Sequence, residues 1–163
     1  MPNINTTVLD ESGTGRSARR GELAGSEHLG MTLDELARGQ GMVFHHHLQR
    51  EELLIVLSGS RSLRTGAGWE ELPEGEVVAF PRGERGAHGY ENRGDGVVRV
   101  LVISEQNAPN VSVYPDRNQV GVFDAARRAE RRFGALFAVG KAASDYGGGT
   151  AELVPPASRR PGP

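Results

Sequence analysis

At 163 residues the chain is long enough to bury a core of its own and too short for a second typical domain, so one domain with terminal arms is expected. A net charge of −2 with 25% charged residues gives no strong field, which argues against nucleic acid or an anionic membrane as partner. The absence of cysteine excludes disulfides and thiolate ligands, and the lack of an apolar signal core or a bilayer-length apolar run predicts a soluble, cytoplasmic protein.

Residues 1–20 are polar and carry no sustained period, which predicts a flexible N-terminal arm. The next stretch reads two ways: Leu33 to Ala37 could close a short helix, while Met31 and Leu33 alternate as in a strand ending at Gly39-Gln40-Gly41. From Met42 onward, short strand-forming runs are punctuated by turn residues at close intervals, the pattern of an all-β sandwich or barrel. If Met42 to His47 is extended, alternation puts His45 and His47 on one face and His46 on the other. Leu48 to Glu51 has a common hairpin-loop length and would fold Glu52 back toward His47. Glu52 opens Leu53 to Leu57, a run apolar on both faces. Such a strand needs cover twice, by the interior and by an arm or a second subunit, so a homodimer is expected.

Arg61 to Arg64 and Trp69 to Leu72 flank Thr65-Gly66-Ala67-Gly68, a hairpin turn whose glycines tolerate positive φ. Glu76 to Phe80 extends until Pro81 removes a ladder donor and bends the chain into the Gly83 to Gly86 loop. His88, Tyr90 and Asn92 then share one strand face, and Val97 to Ser104 reads as a core strand. His45, His47 and His88 with Glu52 would make three imidazoles and a carboxylate, a nitrogen and oxygen shell suited to a first-row divalent metal. Tyr114-Pro115-Asp116 is irregular. Asp124 to Phe137 predicts a short C-terminal helix with Asp124 as N-cap, while Gly147-Gly148-Gly149 and the proline-rich end lack the apolar surface to order themselves and predict a mobile tail.

These residues resemble the two motifs of the cupin superfamily. The first, HxH, four residues, Glu, six residues, Gly, reads here His45, His47, Glu52 and Gly59. The second reads Gly75, Pro81, Gly83, His88 and Asn92, with a Gly-to-His gap two residues longer than usual. More narrowly, Glu51-Glu52, Leu63-Arg64-Thr65, the Phe80 to His88 segment, Tyr114-Pro115-Asp116 and Gly121-Val122 are similar to a group of small single-domain cupins. Gly89 stands where a larger polar residue is common. The resemblance implies an all-β jelly-roll barrel (a double-stranded β-helix) over residues 21–122, with residues 1–20 and 123–163 as terminal extensions.

A jelly roll gathers inward-facing residues of both sheets in one barrel mouth, which suits a small polar ligand over a metal. With iron, manganese, zinc or nickel in the His45, His47, Glu52 and His88 shell, the expectation is a metal-dependent oxygenase or isomerase. The competing expectation is a non-catalytic module that binds or senses a small metabolite. The fold does not choose between them. Tyr90, Arg64, Glu84 and Arg85 are rim candidates beyond the shell, and no catalytic residue is assigned.

Overall fold

The turn-punctuated runs form fourteen β-strands in the computed structural model, which describes residues 3–12, 15–19, 24–124, 132–139 and 153–154. In chain order these are β1 (Asp10–Ser12), β2 (Gly15–Arg19), β3 (Leu29–Leu36), β4 (Gly41–His47), β5 (Glu52–Ser58), β6 (Arg61–Thr65) and β7 (Gly68–Leu72). There follow β8 (Val77–Phe80), β9 (His88–Glu91), β10 (Val98–Glu105), β11 (Asn110–Tyr114), β12 (Gln119–Phe123), β13 (Gly134–Ala138) and β14 (Leu153–Val154). Short 3-10 turns at Glu84–Gly86 and Pro115–Arg117 complete the described elements. No helix among the described residues is long and apolar enough to cross a membrane.

Two antiparallel sheets result, one ordered β1-β2-β3-β10-β5-β8 and the other β14-β13-β12-β11-β4-β9-β6-β7. Between them lie Leu36, Leu54, Val56, Leu63, Leu72, Phe80, Tyr90, Val98 and Val100. Each large apolar side chain buried there contributes about 1.5–3 kcal/mol over its exposed state. A one-residue slip of β5 would turn both Leu54 and Val56 outward, so this interior pins the register that also turns Glu52 inward.

The double cover required by β5 is met partly within the chain. On the opposite face of the first sheet, Ile55 and Leu57 pack on a second cluster of Leu9, Ala18, Leu33 and Leu101. Leu9 and Ala18 come from the N-terminal segment expected to be a flexible arm. There β1 and β2 extend the sheet edge against β3, and the Ile4 carbonyl accepts a hydrogen bond from Arg99 at 2.8 Å. The ambiguous stretch around Leu33 is strand, as alternation suggested, because both of its faces find apolar cover.

Two local expectations are corrected. Leu48 to Glu51 does not close a hairpin: β4 pairs with β9 and β11 while β5 pairs with β10 and β8, so the loop crosses from one sheet to the other. The predicted Asp124 to Phe137 helix is replaced at Gly134–Ala138 by a strand paired along its whole length with β12, and residues 125–131 lie outside the described residues. The ladder outweighs a weak helix preference there. Phe123 faces Gly134, and a Cβ at 134 would lie 2.8 Å from its ring. The glycine run 147–149 and the proline-rich end, expected to be mobile, also lie outside the described residues.

Candidate metal centre

His45 sits on β4, Glu52 begins β5 and His88 begins β9, so two candidate ligands come from one sheet and the third from the sheet facing it. Their ligand atoms lie within 4.8 Å of one another, and all three residues are buried. His47 joins them at the carboxylate, with Nε2 3.4 Å from Glu52 Oε2; the corresponding distance from His88 Nε2 is 3.5 Å. The His45 ring centroid lies 4.7 Å from that of His88 and 4.9 Å from that of His47. His46, buried as well, makes no ring contact with them and is outside the cluster of ligand atoms.

A β-bulge brings this about. In the β4–β9 ladder Met42 is opposite Tyr90 and His45 is opposite His88, so Val43 and Phe44 together face the single residue Gly89. Simple alternation from Met42 would turn Met42 and His45 to opposite faces. The extra residue lets both point inward, Met42 onto the core and His45 into the site. It also explains the departure at Gly89, where a Cβ would meet the Phe44 backbone nitrogen at 2.9 Å.

Each imidazole is fixed through Nδ1. That of His45 is 2.9 Å from the Val43 carbonyl, and that of His88 is 2.8 Å from the Gly86 carbonyl. A carbonyl only accepts, so both Nδ1 atoms carry the proton and a neutral ring presents a bare Nε2 lone pair. The His47 Nδ1 is 2.9 Å from the hydroxyl of Ser112 on β11. Gly86 reaches its position because it lacks a side chain: a Cβ there would be 1.8 Å from the Pro81 carbonyl oxygen. Phe80 stacks on the His88 ring, with centroids 3.6 Å apart.

The electrostatics agree with the tautomers. Burial would raise the Glu52 carboxyl, but the hydrogen bond from His47 and the charges of the three imidazoles outweigh it and bring the group down to about 2. Desolvation, helped by His45, lowers His88 to about 4, and desolvation with His47 lowers His45. At neutral pH, then, the Glu52 carboxylate faces the Nε2 lone pair of a neutral His88 at 3.5 Å. Two acceptors at such a distance with no proton between them repel one another, and a cation between them turns that repulsion into binding. The residues present therefore fit a divalent metal.

Of the rim candidates, Tyr90 is a core residue, with the fully buried Arg61 guanidinium 3.5 Å over its ring. Glu84 and Arg85 are exposed on the turn that precedes His88. Arg64 is on the outer face of β6, since its neighbour Leu63 points into the core. There it borders a cleft of about 320 Å³ with Phe44, Trp69 and Asp116; none of the four predicted ligands lines that cleft. Sequence reasoning missed Ser112 and Tyr114, whose ring stacks on His45 with centroids 6.0 Å apart. Both lie on one face of β11, but Asn107 to Tyr114 carries no signal of which strand it will join.

Comparison with known proteins agrees with this architecture. A family model described as a cupin domain matches residues 32–104. A sugar phosphate isomerase of the cupin superfamily from Silicibacter pomeroyi is similar, with 25% identity, a TM-score of 0.68 and 74% of each chain covered. A putative sugar phosphate isomerase from Acidithiobacillus ferrooxidans has 23% identity and a TM-score of 0.66, with 81% of this chain and 82% of that one covered. The polyketide cyclase RemF from Streptomyces resistomycificus shares the fold at 21% identity and a TM-score of 0.56, over 64% of this chain and 78% of the other. No curated protein matches the chain.

Proposed function

Since residues 32–104 make this a small cupin-domain protein, we propose that His45, His47, Glu52 and His88 hold a divalent first-row metal and that a small polar molecule is converted at that centre in the barrel. The observation that carries the reading is the set of Nδ1 anchors, which leaves Nε2 atoms converging on one buried carboxylate. A bound metal would supply Lewis acidity toward a carbonyl or hydroxyl oxygen of that molecule. The chain's own residues do the rest. The Val43 and Gly86 carbonyls keep the His45 and His88 protons on Nδ1, Ser112 orients His47, and Glu52 remains ionised. Phe80 stacked on His88 gives the site an apolar wall.

Between isomerase and oxygenase, the two neighbours described as sugar phosphate isomerases favour an isomerase, with a phosphorylated sugar as the first substrate class to test. The decisive experiment takes protein purified without a histidine tag, measures its metal content, and follows sugar phosphates by NMR alongside oxygen uptake. One metal per chain with aldose–ketose interconversion supports the proposal. Oxygen consumption moves it to the oxygenase branch, and a bound metal with no turnover across a broad panel leaves the metabolite-binding module. A homodimer belongs to the same proposal, because Leu53 and Val77 on the outer face of β5 and β8 remain exposed. Sedimentation of a monomer at high micromolar concentration rejects it.

A further inference from the structure

The strand β11 lies beyond the residues matched by the family model, yet it forms one wall of the site. Ser112 holds His47, and two residues further along the same strand face the Tyr114 ring lies on His45 with an interplanar angle of 25°. The His45 ring thus has both the His88 ring, 4.7 Å away between centroids, and the Tyr114 ring as neighbours. The Tyr114 ring is half-buried, and its hydroxyl has no hydrogen-bond partner among the described residues. A tyrosine set into a polar site usually has such a partner, because its ring is apolar and its tip is not.

The end of β11 is also tied down from outside. Arg64 is opposite Gly89 in the β6–β9 ladder, and its guanidinium lies 4.3 Å over the Phe44 ring. From there it makes a bidentate ion pair with Asp116, one arm of it at 2.9 Å. Asp116 is two residues beyond Tyr114. The pair bridges the outer face of the β-bulge, at the same point where Met42 and His45 both turn inward.

We infer that Tyr114 is a ligand-contacting residue, donating its hydroxyl to an oxygen or anionic acceptor of the molecule bound beside His45, and that the Arg64–Asp116 clamp positions it. The inference rests on the metal-site reading above. It extends the site beyond the four metal ligands and assigns a task to the Tyr114-Pro115-Asp116 motif.

The test uses the full chain loaded with cobalt(II), whose visible absorption reports coordination, and azide as the acceptor ligand. Tyr114→Phe keeps the stacked ring and removes the donor. It is expected to retain about one cobalt per chain while binding azide roughly fivefold to tenfold more weakly, the worth of one hydrogen bond. Asp116→Asn and Arg64→Met are expected to weaken azide roughly twofold to fivefold at full cobalt content, and to add nothing when combined with Tyr114→Phe. A purely structural clamp would change melting temperature without that non-additivity. Unchanged azide affinity in Tyr114→Phe, or loss of its cobalt, overturns the ligand-contact role while leaving the metal centre standing. Clamp effects that persist on top of Tyr114→Phe overturn the positioning role. Wild-type protein that takes up no cobalt overturns the metal reading and this inference together.

Discussion

Three consecutive histidines on one strand allow a sharp test, because His45 and His47 lie in the cluster around Glu52 and His46 does not. Replacing His45, His47, Glu52 or His88 by alanine removes one of four converging donors, whereas His46→Ala removes a ring outside the cluster. A four-ligand zinc site in a small domain is worth about 10–16 kcal/mol, so each ligand carries roughly 2.5–4 kcal/mol and its loss should weaken metal binding roughly a hundredfold to a thousandfold. His46→Ala should leave metal affinity within about threefold of wild type. Its cost should be confined to stability, about 1–3 kcal/mol for a buried ring whose Nδ1 has no hydrogen bond among the described residues. Competition with a chromophoric chelator gives the affinities and urea melts of the metal-free proteins give the stabilities. If His46→Ala strips the metal as completely as His47→Ala does, the bulged register and the site built on it are wrong. Graded, similar losses in all three histidine variants would identify a loose surface patch instead.

Further outcomes follow from the supports of the site. Ser112→Ala, which frees His47 Nδ1, should lower metal affinity roughly tenfold to a hundredfold without lowering metal stoichiometry at saturation; an unchanged constant would remove Ser112 from the site. Gly89→Ala should cost about 1–3 kcal/mol in urea melts, since the new Cβ must push back the Phe44 backbone, and a neutral result would argue against the bulge. In the metal-free protein the folded-state pKa of His88, about 4, lies below the usual 6.5, so its contribution is fully present above pH 6.5 and is lost as pH falls toward 4. That window should hold about 3 kcal/mol of pH-dependent stability, to order of magnitude, and His88→Gln should flatten most of it. Equal slopes in the two proteins would contradict the burial that lowers this imidazole.

The all-β class, the turns that delimit β6 to β9, and the candidacy of His45, His47, Glu52 and His88 as ligands were legible in the sequence, because turn chemistry and side-chain alternation are set within a few residues. The strand partners were not. Leu48 to Glu51 has the length of a hairpin loop and serves instead as a crossing between sheets, since the interior rewards burying Leu54 and Val56 against the opposite sheet. Gly134–Ala138 is strand because β12 offers it a complete ladder, a partner that its own composition does not announce. The bulge at Val43 and Phe44 depends on the close approach of Gly89, more than forty positions away in the chain. Ser112 and Tyr114 became part of the site only when β11 paired with β4 and set them against His47 and His45. Local sequence determined which residues could serve as ligands and which segments could extend. Tertiary pairing decided which of those side chains converge, because the free energy that selects a partner strand comes from burial and hydrogen bonds between segments distant in the chain.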